Sequence, residues 1–169
     1  MLDMFTTRDA HRRPPPLSTR CVFLDRDGVI NESPAPGEYI RSETEFRLLP
    51  NTANWIRLLN ALEFLVIVIT NQRGVALRLM SEDDLACIHR KMLAELAAKG
   101  ARIDDVFYCP HAEDSCECRK PKPGLVYAAR DKWNIDLAHS LLMGDSDNDE
   151  QLAAACGLAF VRVVDGHLA

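Results

Sequence analysis

Hydrophobic positions along this chain fall into short solid runs, separated by longer stretches in which apolar residues recur every three or four positions. A solid run of four to six apolar residues fits a strand buried on both faces of a sheet, whereas the three-to-four spacing fits a helix with one buried face. The runs at Cys21–Leu24, Phe64–Ile69, Ser140–Met143 and Ala159–Val164 predict strands, and Arg102–Tyr108 is a further strand candidate. Between the first two, Asn51 is placed to cap a helix whose buried stripe is Trp55, Leu58, Leu59 and Leu62. Ser81–Asp84 has the form of a capping box, and the helix after it buries Leu85, Ile88, Met92, Leu93 and Leu96 before stopping at Gly100. His89 lies beside that stripe and reads as structural. Pro123 opens a helix to about Trp133, and a last helix ends at Gly157. Strands alternating with helices predict an α/β fold around a mostly parallel sheet.

The segments outside this pattern are informative in their own way. Residues 1–20 are polar, carry Pro14, Pro15 and Pro16, and show no periodicity, which predicts a flexible tail ahead of one folded domain over 21–169. Glu32–Thr44, with Pro34, Pro36 and Gly37, reads as a loop at the rim of whatever follows the first strand.

Composition narrows the class. A chain of 169 residues with 47% hydrophobic and 27% charged residues is ordinary for one soluble domain. A formal net charge of −5 argues against a general nucleic-acid binder or a binder of anionic membranes. No apolar run reaches membrane-spanning length and no signal-peptide core opens the chain, so a cytoplasmic protein is expected.

Chemistry concentrates where strands end. The first strand runs into Asp25-Arg26-Asp27-Gly28. Residues two apart in an extended chain project to one side, so both carboxylates can face one reacting group. Two such carboxylates repel unless a proton or a cation sits between them, and a hard cation with oxygen ligands, most simply Mg²⁺, meets that need. A solvated acidic turn is the competing reading of this stretch taken alone. Farther along, Cys109, His111, Cys116 and Cys118 form C-x-H followed by C-x-C. Four such ligands fit tetrahedral Zn²⁺ with no open position, hence a structural site. Free thiols or a disulfide are the alternatives, and a Cys116–Cys118 bridge would be strained. Cys21, Cys87 and Cys156 stand singly and read as small hydrophobes.

The stretch FLDRDGVIN, with the later strand ends, resembles the haloacid dehalogenase-like phosphatases from about Cys21 to about Val164. More narrowly it is similar to the D-glycero-D-manno-heptose 1,7-bisphosphate 7-phosphatase family and the related histidinol phosphatases. The resemblance implies a three-layer α/β/α, Rossmann-like fold. It makes Asp25 the nucleophile, Asp27 the acid/base, Thr70 the small hydroxyl of the second motif and Lys120 the lysine of the third. Mg²⁺ would be held by Asp25, Asp145 and the backbone carbonyl of Asp27. Asp149 would orient Lys120 or a metal-bound water, or simply cap a helix; Ser146 stands where many relatives carry lysine. Arg119 matches the family's substrate-recognising arginine. Gly37 and Tyr39 of the rim loop, with Asn71, Gln72 and Arg73, complete the expected substrate contacts. The family also carries a zinc loop with the ligand order of Cys109, His111, Cys116 and Cys118, which would fix Arg119 and Lys120.

Spacing adds one exclusion. About 45 residues separate Asp25 from Thr70 and about 50 separate Thr70 from Lys120, too few for a cap domain beside the helices and strands already placed there. A site covered only by loops suits a small phosphorylated sugar. The expected enzyme, as the resemblance implies, is a monomeric Mg²⁺-dependent phosphatase that takes the 7-phosphate of the heptose bisphosphate through an aspartyl-phosphate. Histidinol phosphate or another small sugar phosphate is the alternative substrate. A non-catalytic zinc-loop binding module is the alternative of a different class.

Overall fold

The computed structural model describes residues 19–164 and 167–168, with the side chain of Leu168 left aside. Residues 1–18 of the expected tail lie outside that range. Its last two residues are docked: Thr19 forms a bridge with Ile135, and the Arg20 guanidinium lies 4.5 Å over the Phe64 ring.

Six strands form one sheet in the order β3-β2-β1-β4-β5-β6. These are β1 (Cys21–Leu24), β2 (Leu65–Asn71), β3 (Asp105–Cys109), β4 (Leu141–Gly144), β5 (Ala159–Val164) and β6 (His167–Leu168). The first five pair in parallel, and β6 turns back antiparallel on β5. Helices α1 (Thr52–Ala61), α2 (Glu82–Ala98), α3 (Gly124–Trp133) and α4 (Asp147–Cys156) provide the crossovers. Every residue of β1 is fully buried, as expected of a central strand sandwiched between helical layers. One apolar cluster joins Val22, Leu24, Val66 and Val68 to α1 and α2; the other joins Phe23, Ile67, Ile69 and Leu142 to α3 and α4. The alternating faces of β1 and β2 thus feed two separate cores, which is the three-layer arrangement expected. Among the described residues no second domain is inserted between these elements.

The sheet order doubles back between β1 and β4, which sit side by side although β2 and β3 intervene in sequence. Ligands of open α/β sheets bind at such a switch point, beyond the carboxyl ends of the strands. Leu24 pairs with Met143, so the residues that follow β1 and β4 emerge together.

Two local expectations are corrected. The stripe assigned to α1 is wrong in half its members: Leu58 is 60% and Leu62 52% exposed, while Thr52, Ala53 and Ile56 are the buried residues. Position 58 stands about 200° around the helix from Ile56, and Leu62 lies at the C-cap beyond the last turn. Trp55 and Leu59 pack only from the side. Asn51 does occupy the N-cap, but in a left-handed conformation (φ 67°) and without a side-chain cap hydrogen bond. The capping box of α2 forms as expected: Asp84 N–H donates to Ser81 Oγ (3.1 Å) and Ser81 N–H to Asp84 Oδ2 (2.8 Å).

Candidate active site

The loop after β1 and the loop after β4 converge on one point. Asp25 N–H donates to the Met143 carbonyl across the switch point (3.0 Å). Gly28 then lets the chain turn, with φ +82°. Only glycine fits there for a second reason: a Cβ at position 28 would lie 2.0 Å from Asp145 Oδ2. Gly144 is required likewise, because its Cβ would come within 2.3 Å of Asp149 Cβ. Asp25, Asp145 and Asp149 accordingly bring carboxylate oxygens within 4.8 Å of one another.

One cation enters this group. Lys120 is only 3% exposed, and its Nζ donates to Asp25 Oδ1 (2.8 Å), Asp149 Oδ1 (2.7 Å) and the Ile69 carbonyl (3.1 Å). Burial alone would discharge it, but Asp25 and Asp149 outweigh burial and hold its pKa above the ordinary lysine value. Asp149 combines two of the three roles considered for it. It fixes Lys120, and its other oxygen completes a capping box with Ser146 at the start of α4. Ser146 gains a definite role as that N-cap.

Three carboxylates around one ammonium leave an excess of negative charge. Burial pushes Asp25 up to about 7, with Lys120 opposing and Asp149 adding to the rise. Burial and the neighbouring Asp149 also raise Asp145. A divalent cation between Asp25 and Asp145 would offset that excess, and both offer the oxygen ligands a hard cation takes. A groove of about 370 Å³ lined by Gly28, Ser33, Leu49 and Asp145 opens beside them.

Asp27 lives in different surroundings. Arg26, fully buried, turns its guanidinium back onto the Asp27 carboxylate, with Nε at 3.1 Å from Oδ1 and Nη2 at 2.9 Å from each oxygen. Asn31 Nδ2 (2.9 Å) and Gln72 Nε2 (3.0 Å) add two donors. Burial by itself would raise the Asp27 pKa, but Arg26 and these hydrogen bonds together hold it below the ordinary value. Arg26 also donates to Gln72 Oε1 (3.1 Å) and to His89 Nε2 (3.4 Å). Burial and the adjacent Arg26 push His89 down to about 3, so it stays neutral and accepts. Its structural role thus has a specific object, the far side of Arg26.

The sequence reading assigned no role to Arg26 or Asn31. An arginine between two strand-end aspartates carries a usable signal: alternation sends it to the opposite face, where only an acid or strong acceptors can satisfy it. Arg162 was also missed. From β5 it donates to the Asp145 carbonyl (3.0 Å) while pairing with Asp147 and Glu150, a long-range contact no local motif encodes.

The residues expected to meet substrate are placed as follows. Thr70 is buried and accepts from Gln72 Nε2 (2.9 Å), leaving its hydroxyl hydrogen to be donated elsewhere. Asn71 spends its amide on the backbone of Lys120, accepting from Lys120 N–H (3.0 Å) and donating to the Lys120 carbonyl (3.1 Å). Gln72, 1% exposed, is internal to the Asp27 network. Arg73 forms an ion pair with Glu113 of the cysteine loop, and Arg119 Nη2 lies 3.8 Å from the same carboxylate oxygen. In the rim loop, Tyr39 packs against Gly74, whose Cβ would lie 3.3 Å from its ring. Gly37 is exposed beside it and lines a depression with Pro34, Tyr39 and Leu79. A wider groove of about 680 Å³ between residues 46–51, α1 and α2 contains none of these groups.

The cysteine loop closes on itself. Sulfur–sulfur distances are 3.5 Å (Cys109–Cys116) and 3.4 Å (Cys116–Cys118), and His111 Nδ1 lies 3.6 Å from Cys109 Sγ and 3.2 Å from Cys118 Sγ. Tetrahedral Zn²⁺ with Zn–S near 2.3 Å implies sulfur–sulfur edges of about 3.7 Å, so a small tetrahedral metal fits. None of the six cysteines is joined in a disulfide.

The chain is similar to known phosphatases. The polynucleotide kinase 3 phosphatase family matches residues 20–161. A D-glycero-beta-D-manno-heptose-1,7-bisphosphate 7-phosphatase of Rhodopseudomonas palustris is 42% identical over 164 residues, covering 92% of this chain and 86% of that protein. A D-glycero-alpha-D-manno-heptose-1,7-bisphosphate 7-phosphatase of Mycobacterium bovis is 42% identical over 135 residues, 79% of this chain and 70% of its own length. Among solved structures, the D,D-heptose 1,7-bisphosphate phosphatase of B. bronchiseptica, complexed with magnesium and phosphate, superposes with a TM-score of 0.79 at 37% identity, covering 84% of this chain and 79% of that one. The chain belongs to this phosphatase family of the haloacid dehalogenase-like fold.

Proposed function

We propose that this protein is a Mg²⁺-dependent phosphatase that removes the 7-phosphate of D-glycero-D-manno-heptose 1,7-bisphosphate. The observation that carries the reading is the buried Lys120 bridging Asp25 and Asp149, next to an Asp25–Asp145 pair that has more negative charge than it can hold alone. Phosphoryl transfer to a carboxylate needs such a site, because nucleophile and phosphate are both anionic and must be brought together.

Asp25 attacks phosphorus through a carboxylate oxygen, forming an aspartyl-phosphate as the bond to the sugar oxygen breaks. Lys120 offsets charge on Asp25 and on the phosphoryl oxygens, and the Thr70 hydroxyl donates to one of them. Asp25, Asp145 and the Asp27 carbonyl would hold Mg²⁺, which supplies further charge neutralisation when bound. Asp27 gives a proton to the departing sugar oxygen, then takes one from the water that attacks the aspartyl-phosphate and restores Asp25. Its hydrogen bonds favour the carboxylate form used in the second step. An arriving phosphate dianion raises its proton affinity for the first.

The substrate assignment draws on the heptose bisphosphatases at 42% identity and on a mouth covered by loops. A CH₂–O–phosphate arm reaches Asp25 while the ring stays among Tyr39, Arg73 and Arg119. Cys109, His111, Cys116 and Cys118 would bind one structural Zn²⁺ that ties down the segment carrying Arg119 and Lys120; elemental analysis of protein purified without added metal checks this. The related enzymes divide between anomers, so the deciding experiment is a phosphate-release screen of both heptose bisphosphate anomers and histidinol phosphate with Mg²⁺. The expected result is release of the 7-phosphate from one anomer. Preferred turnover of histidinol phosphate, or release of the 1-phosphate, would overturn the assignment.

A further inference from the structure

Two guanidinium groups beside the active site, Arg73 after β2 and Arg119 just before Lys120, share one carboxylate. Glu113 Oε1 pairs with Arg73 and lies 3.8 Å from Arg119 Nη2. The pairing is incomplete on the cationic side. Arg73 Nε and Arg119 Nη1 are buried and have no hydrogen-bond partner among the described residues. It is loosely held on the anionic side, where the Glu113 side chain is 58% exposed. Two cations thus face one single-charged anion that satisfies only part of their donors. A phosphate monoester brings up to two charges and three oxygens, so it can serve both forks together.

We propose that Glu113 is a built-in stand-in for the second phosphate of the substrate, displaced when a bisphosphate binds. This rests on the sugar bisphosphate reading above. While the site is empty, Glu113 keeps Arg73 and Arg119 from repelling each other. When the bisphosphate arrives, its distal phosphate takes both guanidinium groups and Glu113 swings to solvent. The exchange taxes binding of every ligand that must displace the carboxylate, and only an anion stronger than a carboxylate regains the cost. Glu113 is therefore a selectivity residue: it discourages substrates whose distal group is neutral or a single carboxylate.

The test is Glu113→Gln in the zinc-loaded full chain, with steady-state kinetics on the heptose bisphosphate and on p-nitrophenyl phosphate, which has no distal phosphate. Removing the competing charge should lower KM for the bisphosphate about three- to tenfold, with kcat little changed. The ratio of kcat/KM between the two substrates should rise accordingly. Glu113→Asp should move the ratio much less. A higher bisphosphate KM would mean that Glu113 only positions the arginines, and an unchanged ratio would mean that it does nothing; either overturns the proposal. If neither protein turns over the bisphosphate while both cleave p-nitrophenyl phosphate, the substrate assignment fails on its own. The exchange is then read from inhibition of p-nitrophenyl phosphate cleavage by pentane-1,5-bisphosphonate at fixed excess Mg²⁺. Stronger inhibition of Glu113→Gln than of wild type supports it, and equal, weaker or absent inhibition overturns it.

Discussion

Asp25 and Asp27 are two residues apart, yet their surroundings make opposite demands. Around Asp25 stand Asp145, Asp149 and a single Lys120, and burial with excess negative charge pushes it up to about 7. Around Asp27 stand Arg26, Asn31 and Gln72, and its pKa is held below the ordinary carboxylate value. The first region calls for a cation from outside; the second supplies its own. One residue type thus meets two opposite environments, the first suited to the metal-assisted nucleophile proposed for Asp25 and the second to the acid/base proposed for Asp27. The difference lies in which way the next side chain points: Arg26 turns away from Asp25 and wraps Asp27.

The contrast can be broken from either side. Asp25→Asn keeps the shape and removes the nucleophile, so kcat should fall by at least about 10³-fold while the circular dichroism spectrum stays that of the wild type. Arg26→Met removes the guanidinium from Asp27 and should cost about 10²-fold in kcat on an alkyl phosphate, the scale of general acid–base catalysis. Much of that loss should return with p-nitrophenyl phosphate, whose leaving group needs no proton, and the Mg²⁺ requirement should stay near wild type. Loss of Mg²⁺ affinity in Arg26→Met would erase the distinction between the two regions. Asp145→Asn should show the complementary pattern: the Mg²⁺ concentration for half-maximal rate rises at least about tenfold, with no selective rescue by the better leaving group. Asn31→Ala is the mildest test. It deletes one of several donors to Asp27, and kcat should drop no more than about fivefold, the worth of one hydrogen bond.

The two long helices of one face show where sequence patterning suffices. For α2 the apolar spacing and the Ser81 box place the start and four of the five expected buried residues correctly, with Leu93 only partly buried and His89 buried beside them. Its stripe is unambiguous because the large apolar side chains lie on one side, with Asp83, Arg90 and only small residues such as Cys87 and Ala94 opposite. In α1 the stripe of large side chains at 55, 58, 59 and 62 competes with Thr52, Ala53 and Ile56 on the adjoining face, and periodicity alone favours the larger side chains. The sheet decides by presenting Val66 and Val68 to Ala53 and Ile56. The short β6 offers two residues and no pattern, and only pairing with β5 makes it a strand.

What the sequence by itself determined is the set of local signals: the solid apolar runs, their order among the helices, the acids and lysine at the strand ends, and the four closely spaced cysteine and histidine ligands. Each depends on neighbours along the chain, which the chain order states directly. Tertiary structure decided everything that joins distant residues. It placed Asp145 against Gly28, set Lys120 between Asp25 and Asp149, turned Asn71 from a substrate contact into a clamp on the Lys120 backbone, and drew Glu113 onto Arg73 and Arg119. These partners come from loops brought together only by the parallel register of β1, β2 and β4. A buried charge takes whatever counter-charge the register puts beside it, and no spacing along the chain records that choice.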